Sequence, residues 1–171
     1  MLRPLLEADV IARRITELAV EIRRTYGDQP IVVCGVLKGG VPFMADLIRH
    51  LSGAVEIEFL GVSSYAGTET TGAVRITHDL KRDIAGQDVL LVEDIVDTGL
   101  TLDWLRRTLG ARGPRSLRIA TLLDKPERRR VEVVVDFVGF TIPDRFVVGF
   151  GLDLNERYRN LPYIAEVVEG P

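Results

Sequence analysis

Three carboxylates lie close together in the segment VLLVEDIVDTGLTL, residues 89–102. Glu93 and Asp94 come directly after an apolar run, and Asp97 follows shortly after them. Carboxylates this close together repel one another unless a cation or hydroxyl groups neutralise them. Residues 98–101, Thr-Gly-Leu-Thr, then begin a predicted helix, and the free N–H groups of a helix N-terminus bind anions. This pattern predicts a ligand that carries hydroxyls or a metal ion together with a phosphate, such as a sugar phosphate.

A helix cap, a nucleotide-binding loop and a receiver domain each account for less of this segment. An ordinary N-cap at Asp97 or Thr98 leaves Glu93 and Asp94 without a role. The chain contains neither GxxxxGK[ST] nor GxGxxG, so P-loop and dinucleotide sites lack their main support. A phosphoacceptor receiver domain would need an acid pair after its first strand, and the apolar run at residues 30–37 is followed by none.

A second loop of chemical interest follows that run, PIVVCGVL. Lys38 and Gly39 come first, and a helix is predicted over residues 41–51 with Pro42 near its start. Only three of the 22 basic residues are Lys, so a Lys in such a loop suggests a need for a compact ammonium group. A plain glycine-rich turn between a strand and a helix is the alternative.

The surrounding pattern predicts the elements that position these loops. Ile11, Ile15, Leu18 and Ile22 form one apolar stripe, which predicts an amphipathic helix over residues 9–26. Alternating strands and helices imply an open, mainly parallel α/β sheet, in which ligands bind beyond the carboxyl ends of the strands. The predicted strands are 30–37, 55–59, 73–77, 88–92 and 116–123, and a further helix is predicted over 100–109.

Three further segments have less regular patterns. Residues 63–72, SSYAGTETTG, are typical of the long tip of a hairpin that either frays or closes over a ligand. The β-rich stretch at 131–150 predicts a small antiparallel lobe attached to the edge of the main sheet. The run Arg128–Arg130 is expected to be a solvated charge run, too short for a nucleic-acid patch.

Composition excludes several classes of protein. The 171 residues carry a formal charge of −3, which argues against nucleic-acid binding through bulk charge. No apolar run approaches the length of a membrane span, and the N-terminus lacks a secretory signal pattern, so a cytoplasmic protein is expected. Cys34, the single cysteine, is expected to pack as a small hydrophobe. With His50 and His78 as the only histidines, a histidine metal site or a Ser-His-Asp triad has little to build from.

Residues 89–102 closely resemble the phosphoribosyl diphosphate (PRPP) signature of the type I phosphoribosyltransferases. Residues 35–46 (GVLKGGVPFMAD), Ser64-Tyr65 and residues 136–159 (DFVGFTIPDRFVVGFGLDLNERYR) resemble its hypoxanthine-guanine branch, bacterial type. The resemblance implies a single domain over residues 1–171. Its core, an open twisted sheet flanked by helices, would cover about 5–130. A small β-rich C-terminal hood would cover about 131–171 with an N-terminal contribution.

The resemblance also implies an activity. Such enzymes transfer ribose 5-phosphate from PRPP to N9 of hypoxanthine or guanine, giving IMP or GMP and diphosphate, with Mg²⁺ on the PRPP. A purine salvage enzyme that forms a homodimer or homotetramer, and that binds neither nucleic acid nor a membrane, is therefore expected. Two alternatives stay open: a phosphoribosyltransferase for xanthine or another base, and a regulator that senses PRPP while binding nucleic acid.

The resemblance assigns a role to each matching position. Asp97 would be the general acid/base at N7 of the purine. Lys38 would bind diphosphate beside a cis peptide bond from Leu37, and Leu100 stands where relatives often carry a polar residue. The ribose and 5′-phosphate would be held by Glu93, Asp94, Asp97, Thr98, Gly99, Leu100 and Thr101; diphosphate by Lys38, Gly39, Ser64, Tyr65 and Arg159; the purine by Lys125, Phe146, Val147 and Asp153; and magnesium by Glu93, Asp94 and Asp153.

Overall fold

The computed structural model of the chain describes residues 1–64 and 74–168. Within these ranges none of the helices is long and apolar enough to cross a membrane. The helices are α1 (Ala8–Tyr26), α2 (Gly40–His50) and α3 (Leu100–Gly110). The strands are β1 (Leu2–Leu6), β2 (Ile31–Leu37), β3 (Val55–Ser64), β4 (Val74–His78), β5 (Asp88–Val96), β6 (Ser116–Asp124), β7 (Phe137–Thr141), β8 (Val147–Val148) and β9 (Ile164–Val167).

The main sheet has six strands in the order β4-β3-β2-β5-β6-β7. All neighbours from β3 to β7 run parallel, and β4 pairs antiparallel with β3 at the edge. The predicted mainly parallel sheet is thus confirmed. Residues 65–73, which include most of the predicted hairpin tip, lie outside the described ranges.

Helices cover both faces of this sheet, because its central strands carry apolar side chains on both sides. Leu90 and Val92 of β5 pack with α1 and α2 on one face, while Val89 and Leu91 pack with α3 on the other. The apolar stripe predicted for α1 is confirmed, since its four residues are fully buried in the first cluster. Cys34 is buried in the second cluster, and burial raises the pKa of its thiol to about 12.

Strand β5 is longer than predicted. It continues past Val92 to Val96, because its ladder with β6 persists through the pairs Glu93–Thr121 and Val96–Asp124. Glu93 and Asp94 therefore lie on the strand itself and not in the loop after it. This fixes their backbone in the rigid sheet.

The predicted antiparallel lobe at residues 131–150 is partly wrong. Residues 131–135 form no strand, and β7 joins the main sheet parallel to β6. Asp136 directs this pairing, since its carboxylate accepts a hydrogen bond from the Ile119 N–H (2.8 Å) and its own N–H donates to the Ile119 carbonyl (2.9 Å).

A small antiparallel sheet does exist, in the order β1-β9-β8. The register pairs Leu2 with Val167 and Val148 with Ala165, so the N-terminal strand lies against the last one. The β-rich C-terminal lobe with an N-terminal contribution is present, although its strands are not those expected within 131–150.

Candidate active site

The predicted loops meet at the carboxyl ends of the parallel strands β2, β5 and β6 of the main sheet. Lys38 follows β2, Asp97 follows β5 and Lys125 follows β6. The Lys125 N–H donates to the carbonyl of Val96 (2.9 Å), which holds the ends of β5 and β6 together. This is the position at which open α/β sheets bind ligands.

Glu93 and Asp94 form a half-buried carboxylate pair at this end of the sheet. Burial raises the pKa of Glu93 well above its usual value, and the adjacent Asp94 charge raises it further. Burial also raises the pKa of Asp94, although the N–H of Ile95 donates to its Oδ1 (2.8 Å). Both carboxylates would be stabilised by a cation or by ligand hydroxyls.

The loop after β2 lies directly against Asp94. Its Leu37–Lys38 peptide bond is cis, as the resemblance implied. A Cβ atom added at Gly39 would overlap the Asp94 carboxylate and lie 2.6 Å from its Cγ, so only glycine permits this approach. At Gly151 an added Cβ would overlap the Gly39 carbonyl oxygen. The loop is therefore enclosed between the carboxylate pair and the C-terminal turns.

Asp97, Thr98, Gly99 and Thr101 line a cavity of about 100 Å³ at the N-terminus of α3. Gly99 has a φ of 83°, a left-handed conformation that favours glycine, and Leu100 begins the helix. The Leu100 N–H makes a long hydrogen bond to Thr98 Oγ1 (3.4 Å). Backbone N–H groups and threonine hydroxyls at a helix N-terminus suit an anion of phosphate size.

Arg129 contacts the backbone of the loop that lines this cavity. The expectation of a solvated charge run is therefore wrong for Arg129. Its Nη1 donates to the carbonyl of Asp97 (2.9 Å), it forms an ion pair with Asp124, and its side chain is only 18% exposed. The N–H of Arg130 donates to the Thr98 carbonyl (2.9 Å). The sequence offers one indication of this contact. The run at 128–130 comes shortly after β6, and β6 pairs with β5, the strand that precedes Asp97.

Asp97 lines the cavity and also lies near a basic side chain. Its Oδ1 is 2.8 Å from Nε of Arg128, whose Nη1 is 3.4 Å from Oδ1 of Asp144. Asp144 Oδ1 in turn lies 3.9 Å from Nζ of Lys125. The candidate acid/base is thus linked through charged side chains to the loop after β6.

Lys125 and Phe146 have the properties of a binding surface for a planar polar ring. Lys125 is only 6% exposed. A lysine so buried is normally paired with an acid, and here the Asp144 carboxylate lies as far as 3.9 Å from its Nζ. Phe146 is 54% exposed, so it is not the core residue that its apolar neighbours would suggest. Val147 is buried in β8, where it pairs with Glu166 of β9.

Asp153 and Arg159 lie on the turns between β8 and β9. Arg159 Nη2 is 2.9 Å from Oδ1 of Asp153 and 3.1 Å from Oε1 of Glu156. Arg159 Nη1 donates to the carbonyl of Gly151 (2.7 Å). Of the expected lid residues, Ser64 is the last residue of β3, and Tyr65 lies outside the described ranges.

The carboxylates do not form a metal centre by themselves. In residues 1–64 and 74–168 no three His, Cys, Asp or Glu side chains are grouped to hold a metal ion. Asp153 therefore does not complete a three-ligand set with Glu93 and Asp94. Magnesium commonly takes one or two carboxylates and completes its shell with water and substrate oxygens, and the Glu93–Asp94 pair fits that use.

Comparisons with known proteins agree with this geometry. A model of the phosphoribosyl transferase domain matches residues 4–155. The chain is 54% identical over 166 residues to a hypoxanthine phosphoribosyltransferase of Haemophilus influenzae, covering 95% of this chain and 92% of the relative. It is 48% identical over 161 residues to a hypoxanthine-guanine phosphoribosyltransferase of Bacillus subtilis, covering 94% and 89%. A crystal structure of a hypoxanthine-guanine phosphoribosyltransferase from Bacillus anthracis superposes with a TM-score of 0.93 at 48% identity, covering 96% of this chain and 98% of that one.

Proposed function

The chain belongs to the phosphoribosyl transferase family, and we propose that it transfers the phosphoribosyl group of PRPP to N9 of hypoxanthine or guanine. The products are IMP or GMP and diphosphate, which makes it a pentosyltransferase of purine salvage. One observation in the structure carries the PRPP part of the proposal: a carboxylate pair and a helix N-terminus suited to an anion meet at the end of β5. A phosphorylated pentose presents hydroxyls and a phosphate in that arrangement.

The proposed PRPP site has two parts, the end of β5 with the loop after it and the loop after β2. Glu93 and Asp94 accept hydrogen bonds from the ribose hydroxyls, and the 97–101 segment donates N–H and threonine hydroxyl groups to the 5′-phosphate. Lys38 and Gly39 bind the diphosphate together with Arg159, and Ser64, the last residue of β3, is proposed to contribute to the same site. The contact between Gly39 and Asp94 supports this division, because it places the loop after β2 directly beside the end of β5.

Magnesium is the proposed cofactor. Glu93 and Asp94 would hold it from the protein side, and Asp153, near the 2-position of the purine, would help to hold it. When bound, the ion neutralises PRPP oxygens and so assists departure of the diphosphate.

The proposed reaction exchanges one bond for another at the ribose C1′. The bond from C1′ to the diphosphate oxygen breaks and a bond to purine N9 forms, while positive charge develops on the ribose. The carboxylates around the ribose stabilise that charge, and the loop after β2 stabilises the departing anion. Asp97 accepts the N7 proton of the purine as N9 attacks, so the purine ring does not keep the positive charge that it gains on bonding to C1′.

The purine is proposed to bind between the loop after β6 and β8. The buried Lys125 ammonium donates to the purine O6, and a charged donor makes the stronger hydrogen bond. Phe146 stacks on the ring with its exposed face, Val147 pairs through its backbone, and Asp153 lies near the 2-position.

The protein is proposed to form a homodimer or homotetramer in the cytoplasm and to bind neither nucleic acid nor a membrane. An exposed apolar patch supports self-association: Val41 on α2 and Ile57 and Phe59 on β3 are 36%, 47% and 37% exposed. Contiguous exposed apolar side chains mark interaction surfaces. Light scattering on the purified protein measures the oligomer directly.

The deciding experiment offers each base separately with PRPP and magnesium and follows nucleotide formation by absorbance. Hypoxanthine and guanine are expected to react, while adenine and uracil react far more slowly, and the rate with xanthine tests the alternative acceptor. Preferential use of xanthine or another base replaces the proposed acceptor. No turnover together with salt-dependent binding of RNA or DNA would instead favour a regulator.

A further inference from the structure

Glu156 joins the two cations assigned to the diphosphate. Its Oε2 lies 2.8 Å from Nζ of Lys38, in the loop after β2, and its Oε1 lies 3.1 Å from Nη2 of Arg159. Each carboxylate oxygen thus pairs with a different cation. An anionic diphosphate bound between Lys38 and Arg159 would need the same two partners.

A strained turn, and not regular structure, presents this carboxylate. Asn155 and Glu156 have φ values of 52° and 62°, a left-handed conformation that non-glycine residues adopt at a cost. The N–H of Glu156 donates to Oδ2 of Asp153 (2.8 Å), which holds the turn in place. The turn therefore directs Glu156 toward Lys38 across the space between the two loops.

We propose that the Glu156 carboxylate is a built-in competitor of diphosphate, pairing with Lys38 and Arg159 until the diphosphate of PRPP displaces it. The proposal rests on the proposed function, which assigns those two cations to the diphosphate. The carboxylate and a phosphoryl group are both anions, so they repel one another and cannot share these partners at close range. After the reaction, Glu156 recaptures the cations and weakens the hold on the departing diphosphate.

The Lys38–Glu156 pair is suited to exchange, and the Arg159–Glu156 pair is less exposed, since the Arg159 side chain is 27% exposed. The side chains of Lys38 and Glu156 are 68% and 64% exposed, and solvent-exposed ion pairs are weak. A multivalent anion therefore displaces Glu156 readily, whereas a buried ion pair would block the site. For the same reason the pairs contribute little to folding, so their removal can be tested in a folded protein.

Glu156→Gln tests the proposal, because it keeps the shape of the side chain and removes the charge. Exposed ion pairs are weak, so both the KM for PRPP and the inhibition constant of added diphosphate are expected to fall only modestly, by about 1.5- to 5-fold. The KM for hypoxanthine is expected not to change. The gain is expected to shrink at high salt, which screens the competing pair.

Glu17→Gln is the matched control. Glu17, whose side chain is 56% exposed, lies 3.1 Å from Nη1 of the less exposed Arg14 on α1, far along the chain from these loops. Its loss is expected to leave both constants unchanged. Glu156→Ala serves as a second variant, since it removes the charge without introducing an amide and is expected to shift both constants in the same direction.

Unchanged or raised constants in both Glu156 variants would overturn the proposal, because the carboxylate would then be neutral or helpful to diphosphate binding. Failure of the proposed function looks different: the parent protein itself would show no turnover and no calorimetric binding of PRPP with magnesium. Thermal unfolding of each variant identifies any change that arises from misfolding.

Discussion

Replacing Gly39 by Ala isolates the contact between the loop after β2 and Asp94 at the end of β5. Gly39 has φ −62° and ψ −36°, which any residue adopts, so alanine carries no backbone penalty there. Its Cβ, however, would overlap the Asp94 carboxylate and lie 2.6 Å from Asp94 Cγ. Because Asp94 Cβ is fixed in β5, the carboxylate must rotate away from its present position.

The Gly39→Ala substitution is expected to weaken the binding of PRPP. A hydrogen bond to a charged group contributes about 1.5–3 kcal/mol, so losing the one between Asp94 and a ribose hydroxyl weakens binding roughly 10- to 150-fold. Folding is expected to be unaffected or slightly favoured, since Gly→Ala at a compatible backbone stabilises by about 0.4–1 kcal/mol. The KM for the purine is expected to change much less.

Calorimetric titration with magnesium and PRPP, initial rates and thermal unfolding measure these effects. Gly110→Ala is the matched control, because no heavy atom lies within 4 Å of the Cβ added there. PRPP binding by Gly39→Ala within twofold of the parent would refute the assignment of Asp94 to the ribose. A loss of several kcal/mol in stability would show that the loop moves instead of the carboxylate.

Three further changes test other groups. Asp97→Asn is expected to retain PRPP binding while turnover falls about 10²- to 10⁴-fold, the usual contribution of a general acid or base; near-full activity removes that role. Lys125→Ala is expected mainly to raise the KM for the purine, by about 10-fold or more, and an unchanged KM removes Lys125 from the base site. Asp88 accepts hydrogen bonds from Arg115 and from Ser116 (2.7 Å), and Arg115 chiefly lowers its pKa. The folded state therefore binds fewer protons than the unfolded one, so this stabilisation is present above about pH 4 and is lost as the pH falls through the lowered pKa. Asp88→Asn is expected to cost about 1–2 kcal/mol at pH 7 in urea unfolding, with a smaller difference at pH 3; an equal difference at both contradicts this account.

The elements that carry a complete local pattern were predictable from the sequence. The stripe at Ile11, Ile15, Leu18 and Ile22 defines α1 because helical spacing alone places those side chains on one face. The apolar run of β2 predicts a strand covered on both sides, and its residues are buried. The family resemblance, which rests on such local segments, is confirmed by the domain match.

Features that depend on distant parts of the chain were not predictable. The partner of β1 is β9, at the other end of the chain, and nothing near Leu2 indicates that pairing. Residues 131–135 have the composition of a strand, yet Val133 and Val135 pack against the cluster beneath α3, and Val134 is 62% exposed. β propensity describes a pleated, half-buried surface, so tertiary position decides whether such a segment pairs.

Arg129 and Glu156 belong to the same class, since each acts through a partner that only the fold brings near. Arg129 contacts the Asp97 carbonyl because β6 lies beside β5, and Glu156 reaches Lys38 across the gap between the C-terminal turns and β2. In the sequence both residues lie among ordinary charged neighbours. Their roles depend on strand order, which residue types alone do not specify.

Glu93 and Asp94 are different, because the sequence reveals them through a conflict with folding. A buried parallel strand is stabilised by apolar residues, whereas burial of the two carboxylates at its end carries a cost that raises the pKa of both. Pairing with β6 nevertheless continues beyond them to Val96, so the rigid strand holds charges that its stability does not require. Residues that break a local rule without a structural gain mark functional positions. The site was therefore easiest to find where the sequence departs from what the fold alone would favour.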